Sequence, residues 1–286
     1  MFDFKVSVIT PVYNAAEFIR NAVESAVSLE EVGEIILVED GSPDNALEIC
    51  KELEQEFEKV KLFQHPNGEN RGAGASRNLG IEKAIFEYIA FLDADDWYLP
   101  NRFQAEKELF KNPEVDGVYG ATGFYEQGQI LENKLTTFDY KLKPEDLLYY
   151  YVSYKGRFTT DAITFKKSLL KKSGVFKTSL KLHQDTHLWY RLAHFGNLYP
   201  GLIDQPIAIR RVHENNRISS RNKKTRSLFH KEVFKDFINK ENVDSRALKI
   251  IINRYVSSIS GNFFIKMFHF SKVLMKNSHL IKIYIK

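Results

Sequence analysis

The sequence predicts an α/β protein with a Rossmann-like layered fold, a mainly parallel central sheet and a helical C-terminal extension. Three observations predict it. Strand-sized apolar runs alternate with helical patterns through the first third of the 286 residues. Polar or glycine-bearing segments directly follow those runs, where ligands collect in doubly wound sheets. From about residue 225 onward the apolar residues keep helical spacing.

The first run, Val6 to Thr10, reads as a strand, and Ala15 to Leu29 as a helix with Phe18, Ile19, Ala22, Val23, Ala26 and Val27 on one face. Asn14, with Glu17 three residues on, is the expected N-terminal cap. Ile35-Ile36-Leu37-Val38 is wholly apolar, which suits a strand buried on both faces of a parallel sheet. Gly41-Ser42-Pro43-Asp44 turns the chain into a helix carrying Ala46, Ile49, Leu53 and Phe57. Val60 to Phe63, a glycine-bearing loop, a helix from about Ala75 and a strand at Tyr88 to Leu92 extend the series of βαβ units. After about residue 115 the regularity fades, although Asp116 to Ala121 and Pro206 to Val212 read as strands and Gln184 to His194 as a helix.

With 43% hydrophobic residues the chain can bury a large core, and its single cysteine, Cys50, excludes an internal disulfide and is expected in that core. The start lacks the pattern of a signal peptide and no apolar run is long enough to span a bilayer, so a cytoplasmic protein is expected. Charge is unevenly spread: residues 218–286 hold 15 Lys and Arg against 4 Asp and Glu, while the rest hold 26 against 33. A basic tail on an acidic body points to an anionic partner, such as phospholipid headgroups, a lipid phosphate or nucleic acid. Phe263 to Ile285 mixes Phe, Ile, Leu and Met with Lys266, Lys272, Lys276 and Lys282. Such a segment either lies on the inner face of a membrane or packs on its own domain.

Four polar segments follow apolar runs: Thr10 to Asn14, Glu39 to Ser42, Asn70 to Asn78 and Asp93 to Asp96. Asp93, Asp95 and Asp96 repel one another unless a cation or several donors occupy the space between them. Mg²⁺ or Mn²⁺ takes one or two carboxylates and completes its shell with water and substrate phosphates, so a diphosphate partner is expected. The plainer alternative is an acidic turn in which Asp96 caps the next helix. Gly72 and Gly74 hold the first two positions of G-x-G-x-x-G, but Arg77 stands in the third, which disfavours a nicotinamide or flavin enzyme. His183 and His187 have the spacing of a zinc-binding helix, but Gln184 replaces the glutamate that chemistry needs. Both histidines are expected beside the acceptor or at the surface.

In order and spacing, Val6 to Asn14, Val38 to Ser42, Asn70 to Asn78 and Phe91 to Asp96 resemble the family 2 glycosyltransferases, which have the GT-A fold. The resemblance implies a metal-dependent, inverting transfer from a nucleotide-sugar donor, usually a UDP-sugar, in polysaccharide or glycoconjugate synthesis. It implies a GT-A domain over residues 1–220, with a donor-binding half at 1–125 and an acceptor half at 126–220, followed by a basic extension at 221–286. On the matching positions, Pro11 and Tyr13 line the nucleotide pocket and Asp40 accepts a hydrogen bond from the base. Arg71 or Arg77 meets the donor phosphate or sugar, Asp93 contacts ribose or a metal-bound water, and Asp95 holds Mn²⁺ or Mg²⁺ together with His213. Glu39 is expected to be structural. Gln184-Asp185 stands where the family carries two acids, which makes Asp185 the expected catalytic base and Gln184 a departure from the pattern.

The implied acceptor is a glycan or a lipid-linked molecule, and no nucleic-acid partner is expected. A non-catalytic nucleotide-sugar-binding or scaffold subunit is disfavoured by the presence of both the acidic trio and Asp185. A sugar-phosphate nucleotidyltransferase is disfavoured because Thr10 to Asn14 stands where a glycine-rich, lysine-bearing loop is required.

Overall fold

Strands with no polar face to offer water settle in the middle of a sheet covered on both sides, and the first apolar runs do so here. The computed structural model describes residues 3–131, 134–212, 223–261 and 263–276. The regular half runs through Val6–Val12 (β1), Ile19–Val27 (α1), Val32–Glu39 (β2), Ala46–Glu56 (α2), Val60–Gln64 (β3), Ala73–Lys83 (α3) and Tyr88–Phe91 (β4). Then come Trp97–Tyr98 (β5), Gln104–Leu109 (α4), Gly117–Tyr119 (β6), Ala121–Glu126 (β7), Gln129–Ile130 (β8), Pro144–Val152 (α5) and Ile163–Lys166 (β9). Leu170–Ser173 (α6), Gln184–Phe195 (α7), Leu198–Pro200 (β10) and Pro206–Arg211 (β11) complete the layered part. The tail consists of Lys223–Phe237 (α8), Ser245–Ser258 (α9) and Phe263–Lys276 (α10).

The main sheet has the order β10-β6-β9-β4-β1-β2-β3, parallel except where β9 pairs antiparallel with β4 and β6. A smaller sheet has the order β5-β11-β7-β8 and joins the main one through β5, which follows the acidic turn after β4. Alternation along the central strands divides the core between two faces. Ile35 and Leu37 of β2 join α1 and α2 on one face, with Cys50 buried among them. Ile36 and Val38 face the other side, toward α5, α7, α8 and α9. Gly80 of α3 is pressed against β1, so that a β-carbon there would lie 2.3 Å from Ile9 Cγ2. Gly80→Ala is therefore expected to cost about 1–3 kcal/mol by overpacking, seen as a lower urea midpoint at unchanged slope.

One helix boundary differs from the expected one. Asn14 has a φ of +53° and does not cap α1, which starts only at Ile19. Instead, Asn14 N donates to Ser42 Oγ (3.2 Å) and Ala16 N donates to Asp44 Oδ2 (2.9 Å). These bonds hold the chain leaving β1 against the turn between β2 and α2, so it cannot coil at once.

Behind the acidic turn, Arg102 is wholly buried. Its guanidinium pairs with Glu106, donates to Ile163 O (3.0 Å) and Thr164 Oγ1 (3.2 Å), and lies 4.5 Å from the Phe103 ring centre. It ties the start of α4 to β9.

The tail divides in two. Phe229, Val233 and Phe237 of α8 and Leu248, Ile251 and Ile252 of α9 enter the same core as α5 and α7, so these helices pack on the domain. In α10, Phe270 touches that core, whereas Phe268 and Met275 are 58% and 71% exposed. Among the described residues, no helix is long and apolar enough to cross a membrane.

Candidate active site

The end of β4 carries the acidic turn, and its carboxylates have separate surroundings. Asp93 is half-buried and ion-paired with Arg77 Nη2, while its backbone N–H donates to Asp161 Oδ1 (2.8 Å). Asp96 is buried and accepts from Arg211 N (2.8 Å). Asp96 does not cap a helix, because the chain goes directly into β5 and the next helix begins only at Gln104. Asp161, in the turn before β9, is also buried. Burial, then the charge of Asp93, raises its carboxyl to about 7. Burial and the charge of Asp161 raise Asp96 well above the ordinary carboxylate range. Both carboxyls are therefore harder to ionise than an ordinary carboxylate.

Asp93, Asp96 and Asp161 each offer an oxygen, all within 4.8 Å of one another. Hard oxygen donors at this spacing suit Mg²⁺ or Mn²⁺. Asp95 lies outside that trio, and its carbonyl accepts from Arg211 Nε (3.2 Å). The Arg211 guanidinium sits 5.0, 4.9 and 5.3 Å from the ring centres of Phe18, Trp97 and Tyr125. From the end of β11 it thus fixes the path of the acidic turn. A cavity of about 440 Å³ opens beside it, lined in part by Asn14, Asp44, Tyr125 and Arg211.

Between β3 and α3 the glycine-bearing loop is gathered onto Asp40. Arg71 N and Gly72 N donate to its two carboxylate oxygens at 2.7 and 2.9 Å, with His65 Nε2 3.6 Å away. Gly72 has a φ of +84°, which favours glycine there. Buried Glu39 holds Gln64 Nε2 and the backbone N–H of Ser42, a structural task. Pro11 lies at the end of β1 and Tyr13 just beyond it, 39% exposed.

The two arginines differ. Arg71 is exposed and pairs with Glu69, whereas Arg77 is buried, joined to Asp93 and 5.5 Å from the Phe176 ring centre. Burial alone would lower the Arg77 pKa, but Asp93, followed by Asp185 and Asp161, holds it above its ordinary value. That places Asp185 within electrostatic reach of Arg77.

Asp185 sits in the first turn of α7, half-buried. Gln184 beside it packs so closely on Gly74 that a β-carbon on the glycine would meet Gln184 Oε1. The N-terminal turns of α3 and α7 are thereby brought together, and such turns favour anions. Asn78 adds a two-way clamp: its side chain donates to Phe176 O and accepts from Phe176 N, both at 2.9 Å.

The histidine expectation holds for one residue and fails for the other. His183 is exposed, but His187 is buried, 3.2 Å from Asp236. Burial, followed by Arg191, lowers its pKa to about 4. The face of α7 carrying it is covered by α8, which the spacing of the two histidines could not reveal. His213 lies outside the described residues. His65 and Asp161 were not singled out from the sequence. Each is an isolated polar residue whose neighbours arrive from far along the chain.

The profile of Glycosyl transferase family 2 matches residues 7–174. The uncharacterized glycosyltransferase YibD of Escherichia coli is 37% identical over 113 residues, 39% of this chain and 32% of that protein. A glycosyltransferase of Rickettsia typhi is 28% identical over 73% of this chain and 64% of its own length. The chain thus spans less than two thirds of either relative. Staphylococcus aureus TarS 1–349, solved with UDP-GlcNAc, superposes with a TM-score of 0.69 at 19% identity, over 88% of this chain and 73% of that one. The mannosyltransferase PcManGT of Pyrobaculum calidifontis, solved with GDP-Man and Mn²⁺, gives 0.60 at 16% identity, over 100% and 87%. These likenesses show the GT-A fold. With more than half of its residues matched by one profile, the chain belongs to glycosyl transferase family 2.

Proposed function

We propose that this protein transfers a hexosyl or related group from a nucleoside-diphosphate sugar, a UDP-sugar, to an acceptor hydroxyl with inversion, in polysaccharide or glycoconjugate synthesis. The observation that carries the reading is the meeting of α3 and α7, which brings Asp185 into the field of Arg77, itself ion-paired with Asp93 of the acidic turn. Residues 1–125 bind the donor, 126–220 provide the acceptor side, and 221–286 extend it. Pro11, Tyr13 and Asp40 receive the nucleoside. Arg71 is the cation left facing outward for the diphosphate, since Arg77 serves Asp93.

In the reaction, the Asp185 carboxylate takes the acceptor proton, the acceptor oxygen bonds to the anomeric carbon, and the bond from that carbon to the diphosphate breaks. The nucleoside diphosphate leaves with the electron pair. Asp95 would hold a divalent metal with His213, as the family resemblance implies, beside the oxygen donors of Asp93, Asp96 and Asp161. When bound, Mn²⁺ or Mg²⁺ supplies positive charge to the departing diphosphate.

A screen of nucleotide sugars with Mn²⁺, read as released nucleoside diphosphate, tests this. Release is expected with at least one donor, and it should disappear on chelation or in Asp95→Ala. Metal-dependent donor binding with no release under any acceptor would instead favour a binding subunit. The exposed apolar face of α10, with its lysines, also supports attachment at the inner membrane face. Vesicles containing phosphatidylglycerol are expected to sediment the full chain and to lose it when residues 262–286 are removed; unchanged sedimentation would sink the attachment.

A further inference from the structure

Asp161 stands outside the four polar segments that follow the apolar runs, yet it ties the acidic turn to the second half of the chain. Strand β9 pairs antiparallel with β4 through Tyr88 and Lys166, Ile89 and Phe165, and Ala90 and Thr164. Continued past the last of these pairs, the same register sets Asp93 opposite Asp161. Both strands have ended there, and the Asp161 carboxylate supplies the next bond of the ladder by accepting from Asp93 N at 2.8 Å. Among the described residues that N–H has no other acceptor.

The turn carrying Asp161 is itself anchored. Thr159 Oγ1 meets Thr122 Oγ1 of β7 at 2.6 Å, and Gly120 N donates to Ala162 O at 2.8 Å. Just before the turn, the Phe158 ring stacks on Tyr119 of β6, with 5.0 Å between centres. Asp93 is thus held twice, at its backbone by Asp161 and at its carboxylate by Arg77. A third carboxylate with an oxygen within 4.8 Å of two others is repelled by them, so filling space does not account for Asp161. An acceptor for a backbone N–H, at the point where the acidic turn leaves the sheet, does.

We propose that Asp161 is a positioning residue for the donor: by holding the Asp93 backbone, it sets the acidic turn where the diphosphate and its metal are received. The inference rests on that turn as the donor site. Asp161 acts through Asp93, and a displacement of about 1 Å at such a site costs on the order of 10²-fold in rate.

The test is calorimetric titration of the full chain with UDP in the presence of Mn²⁺, repeated with GDP. The unaltered protein is expected to bind one of the two. Asp161→Ala should weaken that binding by about tenfold or more in Kd, and Asp161→Asn, which keeps the acceptor oxygen, should recover most of the loss. Asp161→Glu keeps the charge but moves the oxygen, and it should bind more weakly than Asp161→Asn. A merely structural role would lower the urea midpoint and the number of binding-competent molecules while leaving the Kd of those that fold. A double-mutant cycle with Asp93→Ala separates action through Asp93 from direct contact with the donor or metal. The loss on Asp161→Ala is expected to vanish where residue 93 already lacks its carboxylate. An unchanged Kd in Asp161→Ala, tighter binding by Asp161→Glu than by Asp161→Asn, or a loss that persists in the Asp93→Ala background overturns the positioning role and leaves the donor site standing. Failure of both nucleotides to bind the unaltered protein overturns the two together.

Discussion

Asp185→Asn is expected to lower kcat by about 10²–10⁴-fold, the usual contribution of a positioned proton acceptor. The amide keeps the size and hydrogen-bonding shape of the carboxylate but cannot take the acceptor proton. Because Asp185 stands on α7 and the donor groups stand on β1, β2, α3 and the turn after β4, the donor KM should change little. The same substitution removes a negative charge from a helix N-terminus, at a cost of about 0.3–1 kcal/mol, too little to unfold the protein. Steady-state release of nucleoside diphosphate with a saturating acceptor checks the prediction, and a kcat within threefold of the unaltered enzyme would remove Asp185 from the proposed role.

Arg102→Met should produce the largest loss of stability, about 3–5 kcal/mol, because breaking a buried pair leaves an uncompensated charge behind. Glu106 is 1% exposed, and burial already raises its pKa despite the opposing pull of Arg102. Without the arginine that rise grows. A carboxyl with a raised folded pKa contributes stability fully below its unfolded pKa and loses it as pH climbs through the folded one. The variant should therefore weaken from the ordinary carboxylate range upward, whereas Arg102→Met with Glu106→Gln should recover much of the deficit. Urea unfolding at pH 4.5 and pH 8 measures both effects. Equal stability of the single variant at the two pH values would show that Glu106 keeps its charge by another route.

Both predictions concern parts of the molecule that were unequally legible in the sequence. The runs Val6 to Thr10, Ile35 to Val38 and Tyr88 to Leu92 announce their strands because burial on both faces leaves no place for a polar residue. The order of β9 and β10 in the sheet could not be read, since strands of three or four residues are too short to show a periodicity of their own. The start of α1 misled for a related reason: Asn14 and Glu17 have the spacing of a cap, but Ser42 and Asp44 compete for the same backbone groups from 28 residues away.

At the site, acids that cluster along the chain were visible, and acids that cluster only in space were not. Asp161 reaches Asp93 across 68 residues, and nothing near it hints at that meeting. Arg211 lies in the strand read at Pro206 to Val212, but its aromatic surroundings come from three separate parts of the chain. The separate fates of Arg71 and Arg77 were likewise open until Asp93 was seen to take one of them.

The clamp between Asn78 and Phe176 bears on how such enzymes recombine. Its two hydrogen bonds join residues 98 positions apart, one in the helix that follows the glycine-bearing loop and the other just ahead of the helix carrying Asp185. Any crossover that exchanges the second half of this chain for that of a relative falls between them. A hybrid would keep its registration only if the incoming backbone offers the same N–H and carbonyl to that asparagine, so the place to inspect first when splicing a new acceptor half is this single amide and not the acidic turn.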